Sequence, residues 1–208
     1  MDDAPRDRTE AEPQLNATPP SPLRLWGFLL TAVGALLAGV AAIMVWVTVG
    51  VHGYPILDSP SHGTDLADGR LVLTGAVVML IAVLGSRFVH RRNSRIVMAL
   101  LAITAGLLAA VVAVSFLATV ATRFTPTTGL RLQVAAEFEH LTPEQIVAKY
   151  GGFRTVSLAP WLALVGGVLG VIGGILTLSW ARRTTDRPKG AEAPAEQAAP
   201  EGSAPGEP

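Results

Sequence analysis

The 208-residue sequence contains no cysteine. It therefore has no disulfide bonds, no thiol nucleophile and no thiolate metal site. Charged residues are also scarce, at 15% of the chain, whereas hydrophobic residues make up 50% and the mean hydropathy is +0.45. A chain this apolar does not have the composition of an ordinary soluble domain. The composition therefore favours an integral membrane protein.

Charge and motifs argue against several classes of function. The chain carries 16 basic and 16 acidic residues, so its formal net charge is zero and no overall field favours a nucleic-acid partner. It lacks GxSxG and HExxH motifs and a phosphate-binding glycine loop. Its long apolar runs hold ionisable residues only at their ends, which argues against a coupled transporter. We therefore expect no catalytic residues, no cofactor and no enzymatic activity.

Long apolar runs define the predicted fold. A helix of about 20 residues crosses a hydrocarbon core of roughly 30 Å. The prediction is an all-α membrane protein, a four-transmembrane-helix bundle within residues 24–183. A cleavable signal peptide is the competing interpretation of the first run, but its apolar region would cover only about 7 to 15 residues. The predicted spans are residues 25–49, 71–89, 96–122 and 157–181.

The remaining segments are polar. Residues 50–70 and 123–156 are predicted to form the two outer loops, because they are rich in residues typical of turns. The segments 1–23 and 184–208 combine charge with proline and have no hydrophobic periodicity. They are predicted to be disordered cytoplasmic tails.

One short helix is predicted within the second outer loop. Thr142 is a favourable N-cap, Pro143 fits the first helical position, and Gln145 completes a capping box with Thr142. Gly151 then ends the helix after about two turns.

The fourth span carries a pattern of small residues. Ala163, Gly167, Gly170 and Gly174 follow the heptad spacing of a helix seam, and Gly166, Gly170 and Gly174 form a GxxxGxxxG glycine zipper. In lipid, small residues favour helix association because they let two backbones approach closely. The pattern predicts that this span packs against other helices. Gly170 belongs to both patterns, so we expect it at the closest approach.

The tryptophans suggest how deeply the spans lie in the bilayer. Trp26 and Trp46 are about 20 residues apart, which is roughly 30 Å on a helix and matches the distance between the two aromatic belts of a membrane. Trp161 and Trp180 flank the fourth span. All four are predicted to be interface anchors. The β-branched run from Val45 to Val51 also favours extended chain near the end of the first span.

Arginines predict the orientation. Short basic flanks of membrane spans remain in the cytoplasm. We therefore expect a multi-pass plasma-membrane protein with both termini cytoplasmic and both longer loops outside. The same cluster of positive charge is also able to contact anionic lipid. The residues that carry this prediction are Arg87, Arg91, Arg92, Arg95, Arg182 and Arg183.

The first outer loop contains the only residues that resemble a metal-ligand set. His52, His62 and Asp65 have suitable donor atoms, and His140 of the second loop is a further candidate. Their spacing does not preform a site on a helix or a hairpin, so no metal is predicted. Convergence of the imidazoles in the fold decides this question.

Three sequence motifs carry a resemblance to known proteins. They are the VWVTV segment around Trp46, the DGRLVL segment that begins at Asp68, and the PWLALVGG segment that begins at Pro160. With the basic link between the second and third spans, they resemble small four-span actinobacterial membrane proteins of unknown function. They also resemble the conserved membrane protein found near tryptophan biosynthesis genes in that group. Claudin-like proteins share the four-span layout, but this chain lacks their loop cysteines. The resemblance implies the fold and transfers no functional residue.

These features favour a non-enzymatic accessory or scaffold protein that acts through helix packing and outer-loop contacts. Its expected partners are the lipid bilayer and either a second copy or other membrane proteins. The alternative is a small oligomeric channel or carrier whose hydroxyl-bearing helix faces line the path, such as those of Thr104 and Thr119. A membrane enzyme is a third possibility, and it requires the loop histidines and acids to meet.

Overall fold

The structure is a computed structural model, which describes residues 22–88 and 92–183, with only the backbone of Arg92. The predicted tails, 1–23 and 184–208, lie outside the described residues, apart from Pro22 and Leu23, which begin the first helix. The helices are α1 (Pro22–Ile43), α2 (Ala67–Phe88), α3 (Arg92–Arg123), α4 (Leu130–Glu139), α5 (Pro143–Tyr150) and α6 (Ala159–Arg183). The strands are β1 (Val45–Val51), β2 (Ser59–His62) and β3 (Gly152–Val156).

The predicted four-helix bundle is confirmed. Within the described residues, 4 helices are long and apolar enough to cross a membrane, and they are α1, α2, α3 and α6. They form a ring in which α6 packs along α1 and α3, and α2 packs along the same two helices. The faces inside the ring are mostly alanine and glycine, whereas leucines and valines such as Leu36 and Leu84 are exposed on the outer surface. Large residues outside and small ones inside suit helices that associate in lipid.

The first span is shorter than predicted. The helix α1 ends at Ile43 rather than at residue 49, because the β-branched run that follows is extended as β1. Trp46 is therefore a strand residue and is fully buried. Its indole Nε1 donates a hydrogen bond to the carbonyl of Ala41 at 2.7 Å, and its ring meets the edge of Phe116 at 4.8 Å between centroids. The prediction of Trp46 as an interface anchor is wrong for this reason.

A small antiparallel sheet covers one end of the bundle. Its strand order is β2-β1-β3, and β1 pairs with β2 from Val45 to Val49 and with β3 from Val47 to Val51. The sequence indicated extended chain for β1 but not the sheet. Because β1 continues α1 and β3 leads into α6, the sheet joins the ends of two neighbouring spans.

The helices α4 and α5 lie against the sheet, and we call the sheet, α4 and α5 together the head. Val51, Leu132, Ala136 and Ile146 form its separate hydrophobic core. The predicted helix start is confirmed, since the Gln145 amide donates to the Thr142 hydroxyl at 3.3 Å and the Thr142 amide donates to the Gln145 side chain at 2.8 Å.

Polar contacts fasten the head to the bundle. The guanidinium of Arg154 on β3 donates to the carbonyls of Ala121 at 2.8 Å and Phe124 at 3.2 Å, so it caps the end of α3. The guanidinium of Arg123 pairs with the Asp68 carboxylate at 2.8 Å, which links the end of α3 to the start of α2. Arg154 thus fixes the head to α3, while Arg123 ties α3 to α2 at the same end of the bundle.

Candidate functional site

The fourth span, α6, packs through two separate faces. A Cβ added at Gly166 would lie 2.7 Å from the Gly34 carbonyl oxygen of α1. A Cβ added at Gly167 would lie 2.7 Å from the Gly106 carbonyl oxygen of α3. Contacts this short leave no space for a side chain, so each glycine is needed where two backbones touch. Ala163 is also fully buried.

The glycine zipper is divided between these two faces. A Cβ added at Gly174 would lie 3.2 Å from the Ala99 carbonyl oxygen of α3, while Gly166 faces α1. Gly170 contacts α1 through its backbone, but a Cβ there would point at the sulfur of Met79 on α2. Because a methionine side chain is flexible, a Cβ at Gly170 is easier to accommodate than one at Gly166 or Gly167, where the nearest atoms are backbone.

The two ends of the bundle differ in charge, because the acidic residues that the structure describes are confined to one of them. Of the predicted topology residues, Arg87, Arg95, Arg182 and Arg183 lie at the end opposite the head, where Arg24 joins them. Arg91 and the side chain of Arg92 lie outside the part of the chain that the structure describes. The acidic side chains of the described residues all lie at the head end, and they are Asp58, Asp65, Asp68, Glu137, Glu139 and Glu144.

A cavity of about 400 Å³ opens between the four spans at the end opposite the head, and we call it the arginine cavity. Three arginines from three helices line it. The guanidinium carbons of Arg24 and Arg95 lie 5.2 Å and 5.3 Å from the centroid of the Trp180 ring. The guanidinium carbon of Arg87 lies 5.3 Å from the Phe28 ring. Cation–π contacts thus hold three positive charges around one space.

The other walls of the arginine cavity are mostly apolar. Ala82, Ala99 and Ala102 contribute small buried side chains. The hydroxyls on the wall are already bonded within their own helices, as Thr31 donates to the Gly27 carbonyl at 2.9 Å. The Thr177 hydroxyl likewise donates a hydrogen bond to the Gly173 carbonyl at 2.9 Å.

The predicted tryptophan anchors differ in their surroundings. Trp26 at the start of α1 is 58% exposed, and Trp161 at the start of α6 is 51% exposed. They lie at opposite ends of the bundle, as two belts require. Trp180 instead lies at the wall of the arginine cavity, and Trp46 of β1 is buried in the hydrophobic core that the head shares with the bundle.

The candidate metal ligands do not form one group. Nδ1 of His62 lies 3.4 Å from the Asp65 carboxylate, but His52 follows the opposite end of β1, where its ring packs against Phe153 at 5.2 Å. In the described part of the chain no three histidines, aspartates or glutamates converge as metal ligands. The structure therefore unites only two of the three residues.

The head carries a small cluster of titratable groups on its surface. The ring of Tyr54 meets that of Tyr150 at 4.8 Å, and the Lys149 ammonium lies 4.8 Å from the Tyr150 ring. Hydrogen bonds with Lys149 and then with Tyr54 lower the pKa of Tyr150. The hydrogen bond with Tyr150 raises the pKa of Tyr54 and also that of Lys149.

Residues 28–205 match the family model described as Tryptophan-associated transmembrane protein (Trp_oprn_chp). The chain belongs to this family. No curated protein matches it. The match extends from the first turns of α1 beyond the end of α6, so it includes the whole head and most of the bundle. The resemblance predicted from the sequence is thereby confirmed, and this member of the Tryptophan-associated transmembrane family is a polytopic membrane protein.

Sequence reasoning missed two parts of this family member that matter most for a site. Gly27, Gly34 and Gly173 form close contacts between α1 and α6, and the seven-residue spacing of Gly27 and Gly34 was the available signal. Arg24 and Trp180 meet at the arginine cavity although they are far apart in the sequence. No local pattern relates these two residues.

Proposed function

We propose that this family member is a non-enzymatic accessory or scaffold protein of the plasma membrane. It presents its head outside the cell and keeps both termini in the cytoplasm. Its spans are in contact with the lipid bilayer, and its head binds a second copy of the chain or another membrane protein.

The arginines at the end opposite the head support this orientation. Arg87, Arg95, Arg182 and Arg183 lie at the end opposite the head, and the positive-inside rule assigns such an end to the cytoplasm. Basic residues also lie at the head end, where Arg123 is paired with Asp68 and Arg154 is bonded to backbone carbonyls of α3. The others at this end are Arg70, Arg131 and Lys149.

An apolar stripe on α4 is the observation that carries the proposal. Leu130, Val134 and Phe138 follow at every fourth residue and are 70%, 46% and 83% exposed. The opposite face of the same helix is fixed in the head core through Leu132 and Ala136. A helix that exposes large apolar side chains on an anchored element provides a contact surface for a partner.

Cysteine labelling tests the orientation, because the natural chain contains no cysteine that would give background. Asp65→Cys lies at the head end, in the turn between β2 and α2, and Asn93→Cys lies in the first turn of α3 at the other end. An impermeant maleimide applied to intact cells is expected to label Asp65→Cys alone. Labelling of Asn93→Cys instead would reverse the proposed topology.

Photo-crosslinking tests the contact surface. A benzophenone amino acid at Phe138 is expected to crosslink to a differently tagged second copy or to another membrane protein. Gln133 is the matched control, because it is exposed on the same helix but lies away from the stripe. Crosslinks to lipid alone from Phe138, or equal protein crosslinks from Gln133, would contradict a role of this stripe in binding a partner.

The oligomeric channel stays a prediction. The Thr104 hydroxyl donates a hydrogen bond to the Leu100 carbonyl of the same helix at 2.9 Å. The Thr119 hydroxyl donates to the Ser115 carbonyl at 2.8 Å. Solute flux through reconstituted protein, compared with the flux of variants carrying bulky residues at these two threonines, tests it directly.

A further inference from the structure

The arginine cavity combines two properties that belong to one class of ligand. Positive charge gathers at its mouth, and buried alanines line its depth. We propose that the arginine cavity binds an anionic amphiphile, whose phosphate or similar headgroup contacts the arginines and whose apolar part enters between the spans. This inference does not depend on the role proposed for the head.

The positive end of the site comes from three different helices. Arg24 lies in the first turn of α1, Arg87 in the last turn of α2, and Arg95 at the start of α3. Arg24 and Arg87 are exposed, and a guanidinium stacked on a ring still carries N–H donors along its edge. Such donors match the oxygen atoms of a phosphate or a carboxylate. An anion placed here would reduce the repulsion between Arg24 and Arg87.

The position of the acidic residues favours an anion at this end. The acidic side chains of residues 22–88 and 92–183 are all at the head end. An anion near the head would meet these carboxylates, whereas an anion at the arginine cavity meets only positive groups among those that the structure describes. The electrostatic attraction is therefore specific to one end of the bundle.

The depth of the cavity requires an apolar group as well. From Arg95 to Ala102 is two turns of α3, which is roughly 10 Å along the helix. Thr31 and Thr177 lie on this wall, but their hydroxyls donate to carbonyls one turn earlier, so they offer few donors to a ligand. A volume of about 400 Å³ is also in the range of small-molecule sites. A bare inorganic anion would leave most of this apolar volume unfilled.

Lipid binding to the full chain in a zwitterionic detergent tests the proposal. The probes are dioleoyl phosphatidylglycerol, dioleoyl phosphatidylcholine with the same chains, and inorganic phosphate, all observed by native mass spectrometry. We expect phosphatidylglycerol to bind more tightly than phosphatidylcholine, and inorganic phosphate to compete poorly. If inorganic phosphate displaces the lipid at equal concentration, the ligand is a free anion, and the proposal of an amphiphile is overturned.

Two pairs of arginines provide the matched comparison. Arg24→Gln with Arg87→Gln removes two charges from the cavity wall, and Arg182→Gln with Arg183→Gln removes two exposed charges from the same end of the protein. The first pair is expected to weaken phosphatidylglycerol binding by about tenfold or more, and the second pair by about twofold or less. An equal loss of phosphatidylglycerol affinity in both double variants would show that the lipid responds only to surface charge, and it would overturn the proposed site.

Two further variants keep the test decisive if the glutamine pair folds poorly. Arg24→Lys with Arg87→Lys keeps the charge and is expected to retain part of the affinity. Ala102→Phe fills the cavity without a change of charge and is expected to abolish lipid binding while leaving the four-helix bundle folded by circular dichroism. Undiminished phosphatidylglycerol binding by Ala102→Phe would overturn the proposal.

Discussion

The two ends of the bundle are built from the same ring of helices but are closed in different ways. At the head end, Trp46 and Phe116 are fully buried and fill the space between the spans. At the other end, Ala82, Ala99 and Ala102 face the same central space and leave the arginine cavity. Small residues bring neighbouring helices together in pairs, but a ring of four still needs large side chains at its centre. The head end is therefore packed for stability, whereas the opposite end leaves space for a ligand.

Removal of the Trp46 indole is expected to have the largest effect on stability. Trp46→Ala should destabilise the protein by about 3 to 5 kcal/mol, because it opens a cavity in a packed region and removes the hydrogen bond to Ala41. Trp161→Ala is the control, because this indole is 51% exposed and its loss should cost only about 0.5 kcal/mol. Thermal unfolding of both variants in one detergent measures the difference. Similar melting temperatures would mean that the head end is not held together by Trp46.

Two alanines on one face of α3 sharpen the comparison between the ends. Ala109 is fully buried in the packed part of the bundle, whereas Ala102 lines the arginine cavity. Ala109→Leu should cost about 1 to 3 kcal/mol through overpacking. Ala102→Leu should leave stability unchanged or raise it by about 0.5 kcal/mol, because the added atoms enter empty space. Equal destabilisation of the two variants, measured by thermal unfolding, would argue that the cavity is closed in the folded protein.

Two glycines of α6 test which contacts hold the ring together. Gly167→Ala should cost about 1 to 3 kcal/mol, because its new Cβ meets the backbone of α3. Gly170→Ala should cost about 1 kcal/mol or less, because its Cβ meets the Met79 side chain, which is able to move. Melting temperatures in the same detergent rank the two. The reverse order would restore the expectation, drawn from the sequence, that Gly170 is the least replaceable residue.

The smallest expected effect concerns the surface of the head. Tyr150 should release its proton at lower pH than Tyr54, since neighbouring hydrogen bonds lower the pKa of the first and raise that of the second. The chain has only 2 tyrosines, so phenolate absorbance during an alkaline titration reports both. Lys149→Met should raise the pKa of Tyr150, because it removes the hydrogen bond that lowers it most. A Tyr150 titration that is identical in the two proteins would contradict this contact.

Much of the bundle was predictable, because its signals are local. The four apolar runs, the small residues of α6 and the Thr142 capping box each lie within a few turns of chain. The end of α1 was harder to predict, because Trp46 satisfied the spacing of an interface anchor while its β-branched neighbours favoured a strand. The outcome depended on Phe116 and on strand pairing, which are remote in the sequence.

The sequence by itself determined that the chain has four apolar spans and that its basic residues cluster near particular helix ends. Hydrophobic length and charge act on each segment alone, so they need no knowledge of its neighbours. Only the tertiary structure decided that β1 pairs with β2 and β3, that Trp46 is buried, and that Arg24 and Arg95 meet at Trp180. These features depend on the volume and distance between segments far apart in the chain, and such quantities exist only after the helices have packed.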